Sequence, residues 1–137
     1  MKNLFFGLIL AAGFGAAQAA FVPEEFKLEQ GSDLLDICTI STSHPGYAEA
    51  YGFCVGFFTG AMHYNRALAK GPDHKAIACP EHTVTRAEAI AVFIAWAHDN
   101  PQYLTEEPIE ALMRAAVAKW PCKPGDQTAT KDVQNRR

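Results

Sequence analysis

Four cysteines and five histidines are the residues of this chain best suited to chemistry. A thiolate or an imidazole can serve as nucleophile or general base, and both bind soft metal ions. Cys79 and His82 could pair as a thiol nucleophile and its base, and His74 with His82 could bring a metal to the same loop. We favour neither site, because a disulfide would consume the sulfur and dispersed loop histidines are usually solvated. The full histidine set is His44, His63, His74, His82 and His98.

Motifs of known catalytic or cofactor sites are missing from the sequence. It has no G-x-S-x-G, P-loop, H-E-x-x-H or Rossmann glycine pattern. It also has no C-x-x-C pair, the usual spacing of redox and zinc sites. Glu106, Glu107 and Glu110 are typical of a solvated helix start rather than an acid–base pair. We therefore predict no catalytic residues, no cofactor, no metal and no enzymatic activity.

Residues 1–19 have the features of an export signal. Lys2 gives a basic start, residues 4–14 form an apolar run, and residues 17–19 (Ala-Gln-Ala) form a small-x-small cleavage site. The run is shorter than the roughly 20 residues of a membrane span. We expect cleavage before Ala20, a periplasmic destination and no membrane attachment afterwards; a retained N-terminal anchor is the alternative.

Export changes what the cysteines indicate. Exported chains of this size usually oxidise an even number of cysteines into disulfides, so we predict two bridges. One bridge with free thiols, or a metal site, is the alternative. The four residues are Cys38, Cys54, Cys79 and Cys122.

The elements that must position these residues are all predicted to be helices. A short helix capped by Ser32 and Asp33 is followed by a long helix over residues 48–69. A Thr-x-x-Glu capping box at Thr85 opens a third helix, which ends at Asn100-Pro101. A fourth helix runs from Thr105 to Pro121. The predicted fold is therefore a compact all-α bundle of about four helices with two disulfides.

Apolar periodicity assigns the buried faces of the long and fourth helices. Two stripes on the long helix imply neighbours on more than one side, and one stripe covers the fourth helix. The stripes consist of Tyr51, Cys54, Val55, Phe58 and Met62; of Phe57, Ala61, Tyr64 and Leu68; and of Ile109, Leu112, Met113, Ala116, Val117 and Trp120.

Gly52, Gly56 and Gly60 recur every four residues along the long helix. Each costs about 1 kcal/mol of helix propensity relative to Ala. Close approach of another backbone would offset that cost. We expect this to be a packing groove within the fold, with a homodimer face between chains as the alternative.

The helix order suggests how the cysteines pair. Cys79 precedes the third helix and Cys122 follows the fourth, so an antiparallel pair of helices brings them to one end. Cys38 ends the short helix and can fold back onto Cys54 in the first turns of the long helix. We predict Cys38–Cys54 and Cys79–Cys122, while the other two connectivities of four cysteines remain open.

Composition and charge indicate one acidic globular domain. Apolar residues make up 49% of the chain and charged residues 20%, which favours a packed core over disorder. Residues 20–122 form the predicted domain and carry seven basic and thirteen acidic side chains. Nucleic-acid binding needs clustered basic residues and is therefore excluded. Residues 123–137 have almost no large apolar residues and are predicted to be a flexible tail.

Several short motifs, taken in order, resemble a known family over roughly residues 32–122. They are Leu-Leu-x-x-Cys at residues 34–38, Cys-x-Gly-aromatic-x-x-Gly at 54–60, and Cys-Pro-x-x-x-x-Thr at 79–85. Asn100-Pro101 and Trp-Pro-Cys at 120–122 complete the series. The chain resembles the Tai family of type VI secretion amidase immunity proteins. It departs from the pattern at Cys79-Pro80, where an extra residue often separates the two.

The resemblance implies a periplasmic all-helical protein, often a homodimer, that binds a cell-wall amidase toxin and plugs its cleft. No contact residue carries over position by position. The connection between the third and fourth helices offers polar and aromatic groups for a cleft, with an ordinary solvated loop as the alternative. Those candidate partner contacts are Asp99, Asn100, Gln102 and Tyr103. Two other functions stay open: a periplasmic acid-stress holdase and a metal-handling protein.

Overall fold

The structure is a computed structural model that describes residues 27–70 and 75–124. Four α-helices follow one another: α1 (Gly31–Thr39), α2 (Tyr47–Lys70), α3 (Arg86–Asp99) and α4 (Pro108–Lys119). A single 3-10 turn (Pro101–Tyr103) lies between α3 and α4. The described ranges contain helices and no strand, so the all-α prediction is confirmed. The predicted signal (residues 1–19) and most of the predicted tail (residues 125–137) lie outside the described residues.

Side chains at the ends of α1 and α3 show why these helices begin where they do. The Asp33 carboxylate accepts the backbone N–H of Glu29 at 2.8 Å and of Gln30 at 3.0 Å, so α1 begins just before the predicted Ser32. The Thr85 hydroxyl accepts the backbone N–H of Glu88 at 3.2 Å, as a capping residue should. These bonds satisfy N–H groups that have no partner within the helix.

The connection between α3 and α4 corrects one predicted boundary. Asn100 ends α3 as expected, and its side-chain amide donates to the Trp96 carbonyl oxygen at 2.9 Å. The fourth helix, however, begins at Pro108 rather than Thr105. Proline is well suited to the first helical position, because its missing N–H is not needed there.

Alanines bring the four helices close together in the core. Phe58 of α2 meets Phe93 of α3 edge to face, with ring centroids 5.7 Å apart. Around these rings the buried positions are largely small, which allows short distances between helix axes. The buried residues of the helices are Gly31, Leu34, Ile37, Ala50, Cys54, Phe58, Ala61, Ala89, Ile90, Phe93, Ala97, Pro108, Ala111, Leu112 and Ala115.

The predicted stripes on α2 and α4 are partly wrong. Tyr51, Tyr64, Ile109 and Val117 are 49%, 60%, 40% and 41% exposed. Small residues such as Ala111 turn inward instead, so the true core face is rotated away from the largest side chains. Among the described helices, none is both long and apolar enough to cross a membrane.

Both disulfides form with the predicted pairing. Cys38 and Cys54 have Cα atoms 5.3 Å apart and join the end of α1 to α2. Cys79 and Cys122 have Cα atoms 4.8 Å apart and join the α2–α3 connection to the residues after α4. The Cys79 N–H also donates to the Trp120 carbonyl oxygen at 2.9 Å. The predicted pairing is therefore confirmed, and no cysteine is free.

Candidate functional site

An aromatic and cationic cluster lies at the α3–α4 corner (residues 99–107), where two half-buried rings lie beside an exposed arginine of α4. Tyr103 stacks on Trp96 of α3, with ring centroids 5.8 Å apart and planes 22° from parallel. The Arg114 guanidinium of α4 lies 4.7 Å from the centre of the Tyr103 ring, within the range of a cation–π contact. Both flanking helices therefore hold the tyrosine in place.

An ion pair and the start of α1 complete the corner. Arg114 Nε donates to Glu106 Oε2, and this bond raises the pKa of Arg114 despite opposition from partial burial. The Gly31 N–H donates to the Glu106 carbonyl oxygen at 2.8 Å, and the Ser32 N–H donates to the Leu104 carbonyl oxygen at 3.0 Å. The backbone of the corner is thus bonded to α1 as well as joined to α3 and α4.

The cluster borders a shallow groove of about 570 Å³ between α3 and α4. Most of its lining is apolar or aromatic. The groove is lined by Trp96, Asn100, Tyr103, Glu110, Met113, Arg114, Val117 and Ala118. Tyr, Trp and Arg are the residue types most enriched among energetically dominant interface contacts, so this groove has the composition of a protein-binding surface.

The four predicted partner contacts fall into two groups. Asp99 and Gln102 are exposed and have side chains at the surface, whereas Asn100 and Tyr103 are half-buried and hold the corner together. The structure brings all four to one corner but does not test partner binding. Sequence reasoning missed Trp96 and Arg114. The sequence carries no local signal for the contact of Arg114 with Tyr103, because the two residues meet across the turn between α3 and α4.

A second concavity of about 600 Å³ lies between α2, α3, α4 and the α2–α3 connection. Its walls are mainly apolar and include Phe58, Met62, Phe93, Met113 and Trp120.

Asn65 of α2 lines this cleft and hydrogen-bonds the α2–α3 connection to α2. Its Oδ1 accepts the N–H of Ile77 at 2.8 Å and of Ala78 at 3.2 Å. Its Nδ2 donates to the Ala78 carbonyl oxygen at 3.0 Å. One amide side chain therefore satisfies three backbone groups that are distant in sequence.

His82 and Glu88 pair at the rim of the cleft. The His82 Nε2 lies 2.8 Å from Glu88 Oε1. This hydrogen bond is the main reason that the pKa of Glu88 is lowered; the Thr85 N–H adds to it, and burial opposes it. The pair joins the segment that precedes α3 to the first turn of that helix.

The structure also bears on the thiol and metal alternatives. Cys79 is oxidised in a disulfide and cannot act as a thiolate nucleophile. Within residues 27–70 and 75–124, no three His, Cys, Asp or Glu side chains are grouped to hold a metal ion. His74, one of the candidate ligands, lies outside the described residues.

The glycines of α2 do not form the predicted groove within the fold. Gly52, Gly56 and Gly60 are exposed, and a Cβ built on any of them meets no described atom within 4 Å. The intramolecular alternative is therefore wrong for the described part of the chain, because alanines of the opposite face make the close helix contacts instead. The dimer alternative is not tested.

Comparison with known protein families gives a match over most of the chain. Residues 30–122 match the model of a family described as Rap1a immunity proteins. Neither the curated proteins nor the solved structures include a significant match. Such proteins are generally non-enzymatic and act by binding and inhibiting a secreted effector. The predicted relation to immunity proteins is confirmed at this level, and because the match covers more than half of the sequence, the chain belongs to the Rap1a immunity protein family.

Proposed function

We propose that this chain is a periplasmic immunity protein that inhibits a peptidoglycan amidase delivered by type VI secretion. Family membership supports inhibition of a secreted effector. The motif series that resembles the Tai family supports an amidase as that effector. The α3–α4 corner is the observation that supports a binding mode, because it presents aromatic, cationic and polar groups on a fixed backbone.

The corner is suited to entering a cleft because little order has to be gained on binding. Immobilising a flexible side chain at an interface costs about 0.5–1.5 kcal/mol. Tyr103 is already held by Trp96 and Arg114, and the backbone is held by α1. Asp99 and Gln102 flank this rigid centre with exposed polar groups.

Charge at the corner favours an effector with a basic cleft rim. Asp99, Glu107 and Glu110 are exposed, and Glu106 is half-buried, against the single cation Arg114. An acidic surface accelerates association with a basic partner and makes the association rate depend on salt. We expect the association rate to fall as ionic strength rises.

The test is inhibition of a purified amidase encoded beside this chain. The oxidised protein should bind it and block peptidoglycan hydrolysis at equimolar ratio. The double variant Asp99→Ala with Gln102→Ala should weaken binding at least tenfold without lowering the unfolding temperature. Thr83→Ala is the matched control, because Thr83 is an exposed polar residue at the opposite end of α3. If both variants bind the amidase as tightly as the wild type does, the corner is not part of the binding site.

Target class and location need separate tests. Inhibition of a glycosidase effector but not of an amidase would retain the immunity role and refute the assignment of an amidase as the effector.

For location, mass spectrometry of the cell-fractionated protein should find a chain beginning at Ala20 in the periplasmic fraction with no free thiol. A variant lacking residues 1–19 should stay in the cytoplasm, where thiols are kept reduced. Full-length cytoplasmic protein would contradict the assignment.

A further inference from the structure

The cleft between α2 and α4 has the size and composition of a small-molecule site. Both helices pack against α1 and α3, and the cleft lies between them with Phe93 of α3 among its walls. Its volume of about 600 Å³ is within the roughly 300–1,000 Å³ of ligand pockets, which are mainly apolar with a few polar groups. None of the four predicted partner contacts at the α3–α4 corner lines it, so it is distinct from the proposed effector contact.

The lining of the cleft changes from apolar to charged along α2. It runs from Phe58 to Ala69, a length of about 16 Å at 1.5 Å per residue. Phe58 is 1% exposed and belongs to the core, whereas Arg66 is exposed. These two residues are about 12 Å apart along the helix. A ligand that lies along α2 would therefore have an apolar environment at one end and a cation at the other.

Arg66 is the charged group of the cleft that the described residues leave without a partner. Glu81 and His82 also line the cleft, but Glu81 pairs with Lys123 and His82 pairs with Glu88. Within residues 27–70 and 75–124, the Arg66 side chain has neither an ion pair nor a hydrogen bond. The charge of this wall is therefore positive, although the domain as a whole is acidic, and it favours an anionic group.

We propose that the cleft binds an unbranched fatty acid, with its carboxylate at Arg66 and its aliphatic chain extending towards Phe58. A guanidinium is a planar fork that donates two parallel hydrogen bonds to a carboxylate. Asn65 lines the cleft beside Arg66, and among the described residues only one of its two amide N–H groups has an acceptor, on the α2–α3 connection. The second N–H can donate to the same carboxylate.

The apolar walls are suited to an aliphatic chain. Met62 lines the cleft from α2 and Met113 lines it from α4. Because methionine side chains are unbranched and polarizable, they adapt to irregular apolar shapes. Each methylene group buried against such walls tightens binding about fourfold, so chain length should control the affinity.

Other segments of the chain fit the cleft less well than a fatty acid. Residues 123–137 carry four basic and two acidic side chains, and Val133 is their only large apolar residue, so they would bring cations to Arg66. Residues 20–26 (Ala-Phe-Val-Pro-Glu-Glu-Phe) are apolar and acidic, but they precede α1, whose first residues bond the α3–α4 corner. The rim residues His82 and Thr83 lie at the other end of α3.

The test is titration of the oxidised protein with dodecanoate below its micellar concentration. The chain has two tryptophans, of which Trp120 lines the cleft and Trp96 does not, so fluorescence of the Trp96→Phe variant reports on the cleft. Dodecanoate should change this fluorescence saturably, and calorimetry of the wild type should give one site per chain. Decanoate and octanoate should bind more weakly, by about fourfold for each methylene removed.

A second set of variants tests the contact with the carboxylate. Arg66→Gln should weaken dodecanoate binding at least tenfold, because a hydrogen-bonded charge is lost, and should leave the weaker binding of the uncharged analogue dodecanol unchanged. Arg86→Gln is the matched control, the same change at an exposed arginine that does not line the cleft. It should bind dodecanoate like the wild type, and both variants should keep the unfolding temperature.

Four results would overturn the proposal. The first two are the absence of saturable dodecanoate binding and an equal affinity of Arg66→Gln and the wild type for dodecanoate. The third is tighter binding of lysophosphatidylethanolamine than of dodecanoate, which would assign the cleft to a membrane lipid. The fourth is at least tenfold tighter dodecanoate binding after deletion of residues 20–26, which would make that segment the occupant. The proposal does not rest on the amidase assignment, because every measurement uses the chain alone.

Discussion

Replacement of Asn65 by alanine should be among the most destabilising changes available outside the apolar core. Asn65 makes three hydrogen bonds to the backbone of Ile77 and Ala78. Each is worth about 1 kcal/mol net, and a buried backbone group left without a partner costs about 1–3 kcal/mol. Ala78 is only 5% exposed, so water has poor access to the two bonds that involve it. We expect Asn65→Ala to lower the free energy of unfolding by about 3 kcal/mol.

Two further variants separate hydrogen bonding from general damage to α2. Asn65→Asp keeps an oxygen for the two N–H groups but places its second carboxylate oxygen against the Ala78 carbonyl oxygen. It should therefore also lose stability, and the loss relative to the wild type should shrink at low pH, where the protonated carboxyl can donate that bond. Thr59→Val is the control on the same helix, because the Thr59 hydroxyl bonds only the Val55 carbonyl one turn back. Its cost should stay below about 0.5 kcal/mol, since such bonds support helices little.

Urea unfolding of the oxidised proteins measures these differences, and amide hydrogen exchange localises them. In Asn65→Ala the amides of Ile77 and Ala78 should exchange faster, because the oxygen that accepts both N–H groups is gone. The reasoning would be refuted if Asn65→Ala cost no more than Thr59→Val, or if the loss of stability in Asn65→Asp relative to the wild type did not shrink as the pH fell.

Three other substitutions test individual contacts that stabilise the fold. Replacing both Cys79 and Cys122 by alanine opens a loop with a sequence separation of 43. The free energy of unfolding, measured with urea, should fall by about 4 kcal/mol according to the chain-entropy relation. A fall of less than about 1 kcal/mol would refute that relation for this bridge. Gly31→Ala should cost about 1–3 kcal/mol by overpacking, because its Cβ would lie 2.8 Å from a side-chain atom of α4; unchanged stability would show that α1 can shift freely. The lowered pKa of Glu88 beside His82 means that ionised Glu88 stabilises the fold above its unfolded pKa, and that this contribution is lost as pH falls through its folded pKa. Glu88→Gln should therefore lose less stability than the wild type between about pH 5 and 3, and identical unfolding curves across that range would contradict the assigned cause.

Features that depend on short local motifs could be predicted from the sequence. The Thr85 hydroxyl and the Asn100-Pro101 pair set the ends of α3 as expected. Helix order favoured the pairing of the cysteines that the structure has, although it left two other connectivities open.

Packing between elements was not predictable in the same way. Periodicity weights large apolar residues, so Tyr51 and Val117 were assigned to the core although they are exposed. The helices instead approach through alanines such as Ala50 and Ala115, and alanine is equally at home on a surface. The hydrogen bonds from Asn65 to the α2–α3 connection were also missed, because an asparagine inside a predicted helix does not indicate which backbone groups, distant in sequence, it will bond.

The two ends of α3 are held by different sets of contacts, which makes stability and binding separable. At its N-terminal end, Asn65 and the Cys79–Cys122 bridge hold the α2–α3 connection. At its C-terminal end, Trp96 and Arg114 hold the corner. The 14 residues of α3 place these ends about 21 Å apart at 1.5 Å per residue, beyond the 7–10 Å at which substitutions usually stop coupling. A substitution that loosens the α2–α3 connection should therefore leave the affinity of the folded protein for its effector unaltered. A substitution at the corner should alter that affinity without altering the hydrogen bonds of Asn65.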